Sequence, residues 1–256
     1  MIKYKKKNVV AIIQVRMGSS RFPGKAMHDV MGKPLLGHLI TRLRRSIFLD
    51  DVVVATSVNP ENDIIGTFCK NENIPCYRGD EDDVLGRTLE ALQFMNATIG
   101  VEVFGDCPLI DPAVVDFIIE KFFNNIEKSD FVGNDLKTTF PPGMEVEVFN
   151  VDALKDASKR TNDSAIRENG TLFIRQNPSL YNLMNIVAPK KWNRPDLELE
   201  VDTKEDVYVI TKIIEHFTIN NNENFGIEEI IKFMDANTNI KNKNINVHRN
   251  WKIFRE

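Results

Sequence analysis

The residues best suited to chemistry lie in one loop near the start of the chain. Arg16, Gly18, Ser19, Ser20, Arg21, Gly24 and Lys25 follow the apolar, largely β-branched run Val9 to Ile13. Glycines let a backbone approach a ligand closely. Successive N–H groups in such a loop form a concavity for anions, and two guanidiniums with one ammonium supply donors suited to phosphate oxygens. A buried strand that ends in such a loop is where an open α/β sheet binds its ligand. The spacing is not that of a P-loop, because five residues separate Gly18 from Gly24-Lys25 and Ala26 stands where a hydroxyl is needed. Two readings stand: a loop that holds a nucleoside triphosphate, and a solvated basic turn.

Two further segments bring carboxylates to strand ends. Ile99 to Phe104 reads as a strand running into Gly105-Asp106-Cys107-Pro108. Asp106 there is expensive to desolvate without a partner, and a metal is a natural partner; the plainer reading is an aspartate in an Asx-type turn. Leu197 to Asp202 alternates with period two, so Glu198, Glu200 and Asp202 share one face and Leu197, Leu199 and Val201 the other. This is either an edge strand with a wet face or a strand end at which Glu200 and Asp202 join Asp106 around a divalent ion. No histidine stands out as a base. His28 lies near the loop and reads equally well as a surface residue.

These groups need a scaffold, and the pattern supplies one. Strands are expected at Val9 to Ile13, Asp51 to Thr56, Ile74 to Tyr77, Ile99 to Phe104, Phe131 to Gly133, Met144 to Phe149, Leu180 to Val187 and Leu197 to Asp202. Helices are expected from Pro34 through Leu43, from Asn59-Pro60 through Lys70, and from Val84 through Leu92. Further ones are expected over Val114 to Phe123, Val151 to Arg160, Ser164 to Gln176, Thr203 to Phe217 and Ile227 to Met234. Asp82 and Asp83 read as an N-cap with an acidic first turn, and Asp111-Pro112 as another helix start. Arg42, Arg44 and Arg45 are explained by the negative end of a helix dipole. Gly170 weakens its helix. The tail from Asn237 to Asn250 is expected to be loosely ordered.

With 256 residues, of which 42% are hydrophobic, the chain can bury one large core. A formal charge of −4 gives no global basic field for nucleic acid; the cations cluster locally, in Lys3 to Lys7, Arg16 to Lys25 and Arg42 to Arg45. Cys69, Cys76 and Cys107 are odd in number and fit no zinc spacing, which points to a reducing compartment. Lys5 to Lys7 followed by Val9 to Ile13 is too short in its apolar part for a signal peptide, and no apolar stretch is long enough to span a membrane. A cytoplasmic location is expected.

The run IIQVRMGSSRFPGK resembles the signature of the cytidylyltransferases that make CMP-activated sugars. These are the CMP-Kdo and CMP-sialic acid synthetases, with the spore-coat-polysaccharide cytidylyltransferase-like proteins nearest. Val15 stands where that family usually has Ala. The Gly32-Lys33-Pro34 element, the G-D-x-P turn at Asp106, the P-x-G-x-x-x-E-V-F stretch at Pro141 to Phe149 and the D-T-x-x-D spacing at Asp202 to Asp206 extend the resemblance over most of the chain.

The resemblance implies an α/β fold, a Rossmann-like, mostly parallel sheet flanked by helices. It implies a single nucleotidyltransferase domain over 1–256, with a small inserted dimerisation subdomain at roughly 134–190 and hence a homodimer. It implies CTP and a small-molecule acceptor as partners, and Mg²⁺ as cofactor. Arg16, Lys25 and Asp106 are then catalytic; Arg16, Gly18, Ser19, Ser20, Arg21, Lys25, Arg78, Gly79 and Asp106 bind the nucleotide; Asp106, Glu200 and Asp202 hold the metal; Gly143, Glu145 and Arg167 face the acceptor.

Two departures bear on that acceptor. Asn169 stands where R-E-H-x-T would place His, and Glu198 where relatives often carry Arg. The pocket is thereby less cationic, so the expected acceptor is neither Kdo nor ordinary sialic acid but a less common surface-polysaccharide building block, with Arg167 left for one anionic group. The alternatives are another nucleotide, a phosphorylated or non-sugar acceptor, or a non-catalytic nucleotide-binding relative.

Overall fold

The computed structural model describes residues 7–19 and 21–249. Ser20, and the part of the Lys3 to Lys7 cluster before Lys7, lie outside the described residues. Strand β1 (Val9–Gln14) leads through the cation-rich loop and a short 3-10 turn at Lys25–Met27 to a small hairpin, β2 (Asp29–Val30) with β3 (Lys33–Pro34). Then follow α1 (Leu35–Leu43), β4 (Asp51–Ser57), α2 (Asp63–Asn71), β5 (Cys76–Gly79), α3 (Val84–Phe94), β6 (Ile99–Phe104) and α4 (Pro112–Asn124). The second half runs β7 (Phe131–Gly133), β8 (Glu147–Asn150), α5 (Val151–Arg160), α6 (Ser164–Arg167), α7 (Leu172–Gln176), β9 (Leu183–Asn185), α8 (Lys204–Ile219), α9 (Ile227–Ala236) and α10 (Thr238–Lys241).

Seven strands form one sheet in the order β5-β4-β1-β6-β8-β7-β9. The pairs β5–β4, β4–β1, β1–β6 and β7–β9 are parallel, and β6–β8 and β8–β7 are antiparallel. The expected fold class is therefore observed. β1 is buried over Val9 to Ile13 because helices cover both faces. On one side Ala11, Ile13, Val54 and Val103 pack with Leu36, Leu39, Ile118 and Ile213; on the other, Val10, Ile12 and Val53 pack with Leu85, Leu92, Leu154 and Ile174. Residues 134–190 supply β8 and β9 to this same sheet. No described helix is long and apolar enough to cross a membrane.

Most element positions agree with the pattern, and the disagreements have local causes. The strand expected from Met144 begins at Glu147, because Asn134 holds the preceding turn: its Nδ2 donates to Met144 O at 2.8 Å and its Oδ1 accepts from Val146 N at 2.8 Å. The strands near 74 and 180 are shorter and shifted, at Cys76–Gly79 and Leu183–Asn185. The helix expected over 164–176 splits into α6 and α7 at Asn169-Gly170. Asn169 Oδ1 accepts from Thr171 N and Leu172 N, starting a new helix instead of continuing the old one.

Three expectations are corrected. Leu197 to Asp202 forms no regular strand, and its acidic face is not wet. Leu197, Leu199 and Val201 enter the core, but Glu198, Glu200 and Asp202 are buried as well. The backbone is held instead by Leu199 N to Pro142 O and Val201 N to Asp106 O, both 2.8 Å. Secondly, the tail is not loose up to Arg249. It forms α10, and Asn244 and Arg249 are buried against that acidic segment. Thirdly, Arg42 is not a dipole cation at a wet helix end. It is buried, lies over the Phe225 ring and donates to Ile110 O and Phe225 O, tying α1 to the loop before α9.

Candidate active site

Parallel pairing sets the carboxyl ends of β1 and β6 side by side, with Gln14 opposite Phe104. This is the point at which successive crossovers go to opposite sides of β1, and it leaves a crevice above the strand ends. Gly105 allows the close approach: a Cβ there would lie 2.5 Å from Gln14 O. The crevice is a cavity of about 470 Å³.

The loop after β1 forms one end of it. Val15 N donates to Ala55 O at 3.1 Å, and Met17 N to Oδ1 of the fully buried Asn62 at 2.8 Å, so the loop is clipped to β4 and the start of α2. Arg16, Gly18, Ser19, Arg21 and Lys25 all line the cavity. Arg16 pairs with Glu81 at 2.7 Å. The solvated-turn reading therefore fails for this loop: its cations converge on a concave site.

Lys25 is the centre of that end. Its Nζ lies 3.1 Å from Asp106 Oδ2, 3.0 Å from Asp202 Oδ1 and 2.7 Å from Val201 O. Burial alone would lower its pKa, but Asp106 and Asp202 outweigh that and the net shift is upward, so Lys25 stays protonated. Arg21 Nη2 reaches Asp202 Oδ2 at 2.7 Å. The Asp106 carboxylate faces Lys25, so the Asx-turn reading does not account for it. Asp106 and Asp202 lie together at this ammonium, which the sequence reading did not place between them.

A second cation closes this cluster from behind. Arg249 lies 2.5 Å from Asp206 Oδ1, 3.5 Å from Glu198, 3.6 Å from Glu200 and 3.8 Å from Asp202. Asp206 also caps α8 by accepting from Thr203 N at 2.8 Å and accepts from Asn244 Nδ2 at 2.8 Å. Burial would raise the Asp206 pKa, yet Arg249 and Asn244 bring it below the usual carboxylate range. Among the described residues, no group of three or more His, Cys, Asp or Glu side chains is arranged to hold a metal ion. Asp106 and Asp202 alone form a hard-oxygen pair of the kind that binds Mg²⁺ together with substrate phosphates. Glu200 lines the cavity but is turned toward Arg249.

Other expected site residues are placed elsewhere. Arg78 and Gly79 do not line the cavity: Arg78 donates to Ser57 O and Asn59 O and pairs with Asp63 at 2.7 Å, bracing β5 against α2. Gly143 lies under the site, with φ of 100° and a position where a Cβ would meet the Leu199 backbone at 2.5 Å; its role is close packing. Glu145 does line the cavity and accepts from Gly143 N at 2.7 Å. Arg167 does not. It pairs with Asp83 at 2.6 Å and donates to Ser158 O and Thr161 O, so no cation is left there for an acceptor anion. Of the two departures, Asn169 lines the cavity and Glu198 does not.

Several lining groups were missed: Gln14, Arg87, Glu102 and Glu168. Gln14 Nε2 donates to Thr88 Oγ1 at 2.6 Å, and its Oε1 accepts from Arg87 Nε at 3.0 Å, forming a polar floor beneath the opening. A signal existed for Gln14 and Glu102, each a polar residue in an otherwise buried strand. Burial beside Asp106, Glu145 and Glu200 pushes the Cys107 thiol up, which removes it as a nucleophile.

Comparison with known proteins agrees with this geometry. The family model for cytidylyltransferases matches residues 10–249. The chain is 33% identical over 248 residues to an uncharacterized protein of Methanocaldococcus jannaschii, covering 97% of this chain and 98% of that one. It is 32% identical over 204 residues to the spore coat polysaccharide biosynthesis protein SpsF of Bacillus subtilis, covering 78% and 83% respectively. A solved cytidylyltransferase from Leptospira borgpetersenii superposes with a TM-score of 0.87 at 27% identity, covering 95% of this chain and all of that one. A cleft built on the β1 loop, Lys25, Asp106 and Asp202, on a sheet of this order and with these likenesses, places the chain in the cytidylyltransferase family, as a nucleotidyltransferase.

Proposed function

We propose that the protein transfers the cytidylyl group of CTP to a hydroxyl of a sugar or sugar-like acceptor, releasing pyrophosphate, in the synthesis of a surface polysaccharide. The observation that carries this is Lys25 held between Asp106 and Asp202 at the head of a cation-lined loop. Three cations and two carboxylates converge there, which suits a polyphosphate bound with a hard cation. The likeness to SpsF supports the surface-polysaccharide setting.

In this reading the acceptor hydroxyl gives up its proton to solvent, its oxygen bonds to the α-phosphorus of CTP, the α–β bridging P–O bond breaks, and that bond's electron pair leaves on pyrophosphate. Arg16, Arg21 and Lys25 hold the β- and γ-phosphates and receive the leaving charge. Asp106 and Asp202 would hold Mg²⁺, whose contribution is to neutralise charge on the α-phosphate and the leaving group. The ion pairs that Lys25 and Arg21 make with Asp202 keep these side chains in place until phosphate oxygens compete for them. The protein acts as a homodimer paired through residues 134–190 and draws on cytoplasmic CTP.

Calorimetry with CTP, UTP, ATP and GTP, each with and without Mg²⁺, tests the nucleotide; preferential binding of CTP is expected, and equal affinity for all four would refute the reading. Pyrophosphate release with Kdo, N-acetylneuraminate, related nonulosonates, and neutral and phosphorylated sugars and polyols tests the acceptor. Light scattering tests the dimer.

A further inference from the structure

A second acidic cluster adjoins the cavity, and one of its members, Glu102, lines it. The antiparallel register of β6 and β8 sets Glu102 directly opposite Glu147. Arg175 on α7 lies 3.1 Å from Glu147 and 3.2 Å from Asp135, and Thr171 Oγ1 donates to Glu147 at 2.5 Å. Glu102 is only 2% exposed, it lines the cavity, and its Oε2 has no hydrogen-bond partner. Arg87 does not fill that gap. Its Nε goes to Gln14, and its Nη1 to the carbonyls of Asp80 and Glu81.

The cover over Glu102 is a glycine. A Cβ at Gly170 would lie 2.7 and 2.8 Å from the two Glu102 oxygens and 3.0 Å from Thr88 Oγ1, so any other residue would press onto the carboxylate. Glu168 and Asn169 stand beside it on the cavity wall. Asp135 and Glu147 thus share the Arg175 guanidinium, while Glu102 keeps an unsatisfied acceptor oxygen, a costly state in a buried site. Burial, reinforced by Asp135 against the opposing pull of Arg175 and Arg87, pushes the Glu102 carboxyl up to about 7.

Pyrophosphate leaves toward the cation loop, and in-line displacement brings the acceptor from the opposite side of the α-phosphorus. Glu102, Gly170 and Asn169 line the same cavity as the cation loop without belonging to it. We propose that Glu102 is a specificity-determining residue of the acceptor subsite and receives a protonated amino group of the acceptor. This rests on the transfer reading above. An ammonium supplies both the missing donor and the missing positive charge, whereas an acceptor that directs a carboxylate at the floor meets like charge.

The test uses paired probes that differ by one amino group: glucosamine against glucose, and galactosamine against galactose, with Kdo as the carboxylate control. Binding in the presence of CTP and Mg²⁺ is measured by calorimetry, and pyrophosphate release gives kcat/KM. An amino probe is expected to be favoured over its hydroxyl counterpart by about 10²-fold or more, because a buried acceptor left unpaired rejects the analogue lacking its donor. Glu102→Gln is expected to bring that ratio close to one, with the change in the KM of the amino probe and not in that of CTP. A ratio near one in the wild-type protein, no binding of either amino probe, a preference for Kdo, or a ratio that survives Glu102→Gln would each overturn the inference. So would a change confined to the KM of CTP, which would place Glu102 under the nucleotide. A protein that binds no CTP would instead overturn the transfer reading itself.

Discussion

At the loop end of the cavity, Lys25, Arg21 and Arg249 reach Asp106, Asp202 and Asp206, and Arg249 also lies within 3.6 Å of Glu198 and Glu200. At the floor, Asp135 and Glu147 pair with Arg175, and Glu102, opposite Glu147, keeps an unsatisfied oxygen. The two clusters are equally built from carboxylates delivered by the sheet and its adjoining loops, and they differ in how the charge is met. At the loop end every one of these carboxylates has a cation within 4 Å, and the end is partly open, with Asp106 about 29% exposed, so its cations can exchange carboxylate for phosphate. The floor is buried, and its cation Arg175 is taken by Asp135 and Glu147, so Glu102 holds a proton or a donor from the cavity that it lines. An acidic cluster is therefore not one kind of site: the number and reach of its cations decide whether it prepares for a polyphosphate or for an amine.

The largest expected effect is at the loop end. Asp106→Asn and Asp202→Asn keep volume and remove charge, and each should lower kcat for pyrophosphate release by about 10²–10³-fold or more. Steady-state assays at saturating CTP check this, and near-normal turnover in either variant would remove that residue from the site. Lys25→Ala and Arg21→Ala should weaken CTP binding while leaving the fold intact, as read by calorimetry and circular dichroism.

Next is the cation that seals this cluster. Arg249→Met leaves the buried Asp206 without its ion pair, and should cost about 3–5 kcal/mol in urea unfolding. Because Asp206 titrates below its unfolded value of 3.8, the stability it contributes is present above that pH and is lost as pH falls. The deficit of Arg249→Met should therefore shrink in acid. A constant deficit across pH would mean that Arg249 acts through packing alone.

The floor should respond with the opposite sign. In the unfolded chain Glu102 loses its proton near 4.5, but in the folded protein it keeps it to about 7. Between those values the folded state binds the extra proton, so stability falls as pH rises. Glu102→Gln removes this penalty, and should stabilise the protein at pH 8 by at most about 3 kcal/mol, with no gain below pH 4. Asp135, Glu147, Arg175 and Arg87 all face the group, so Tm should be followed against pH in Glu147→Gln as a control. A Glu102→Gln variant that is less stable at pH 8 would show that Glu102 is paired in the folded protein.

The smallest effects belong to residues outside both clusters. Arg78→Ala and Arg167→Met should leave the KM of CTP within about twofold and cost roughly 1 kcal/mol or less, as partly exposed ion pairs do. A tenfold rise in the KM of CTP in Arg78→Ala would restore the nucleotide-binding role that the resemblance implies.

The sequence by itself determined what short-range chemistry controls. A β-branched run bounded by glycines and cations gave β1 and its loop, and apolar periodicity placed α1, α3, α4 and α8. Asp83 and Asp111 were readable because a cap bonds within a few residues of itself. Asp106 and Asp202 were readable because each sits where a buried segment ends. The tertiary structure alone decided which charge answers which. Arg167 and Arg78 look free in sequence, and each is consumed by partners many residues away. Arg249 reads as part of a loose polar tail, yet it reaches back 43 residues to neutralise Asp206. Glu102 is a lone acid in an apolar strand until strand pairing sets it against Glu147 and the α6–α7 break lays Gly170 over it. Periodicity reports which face a side chain takes, because the backbone repeat is local. The partner of a long charged side chain depends on how distant segments pack, and no local pattern carries that information.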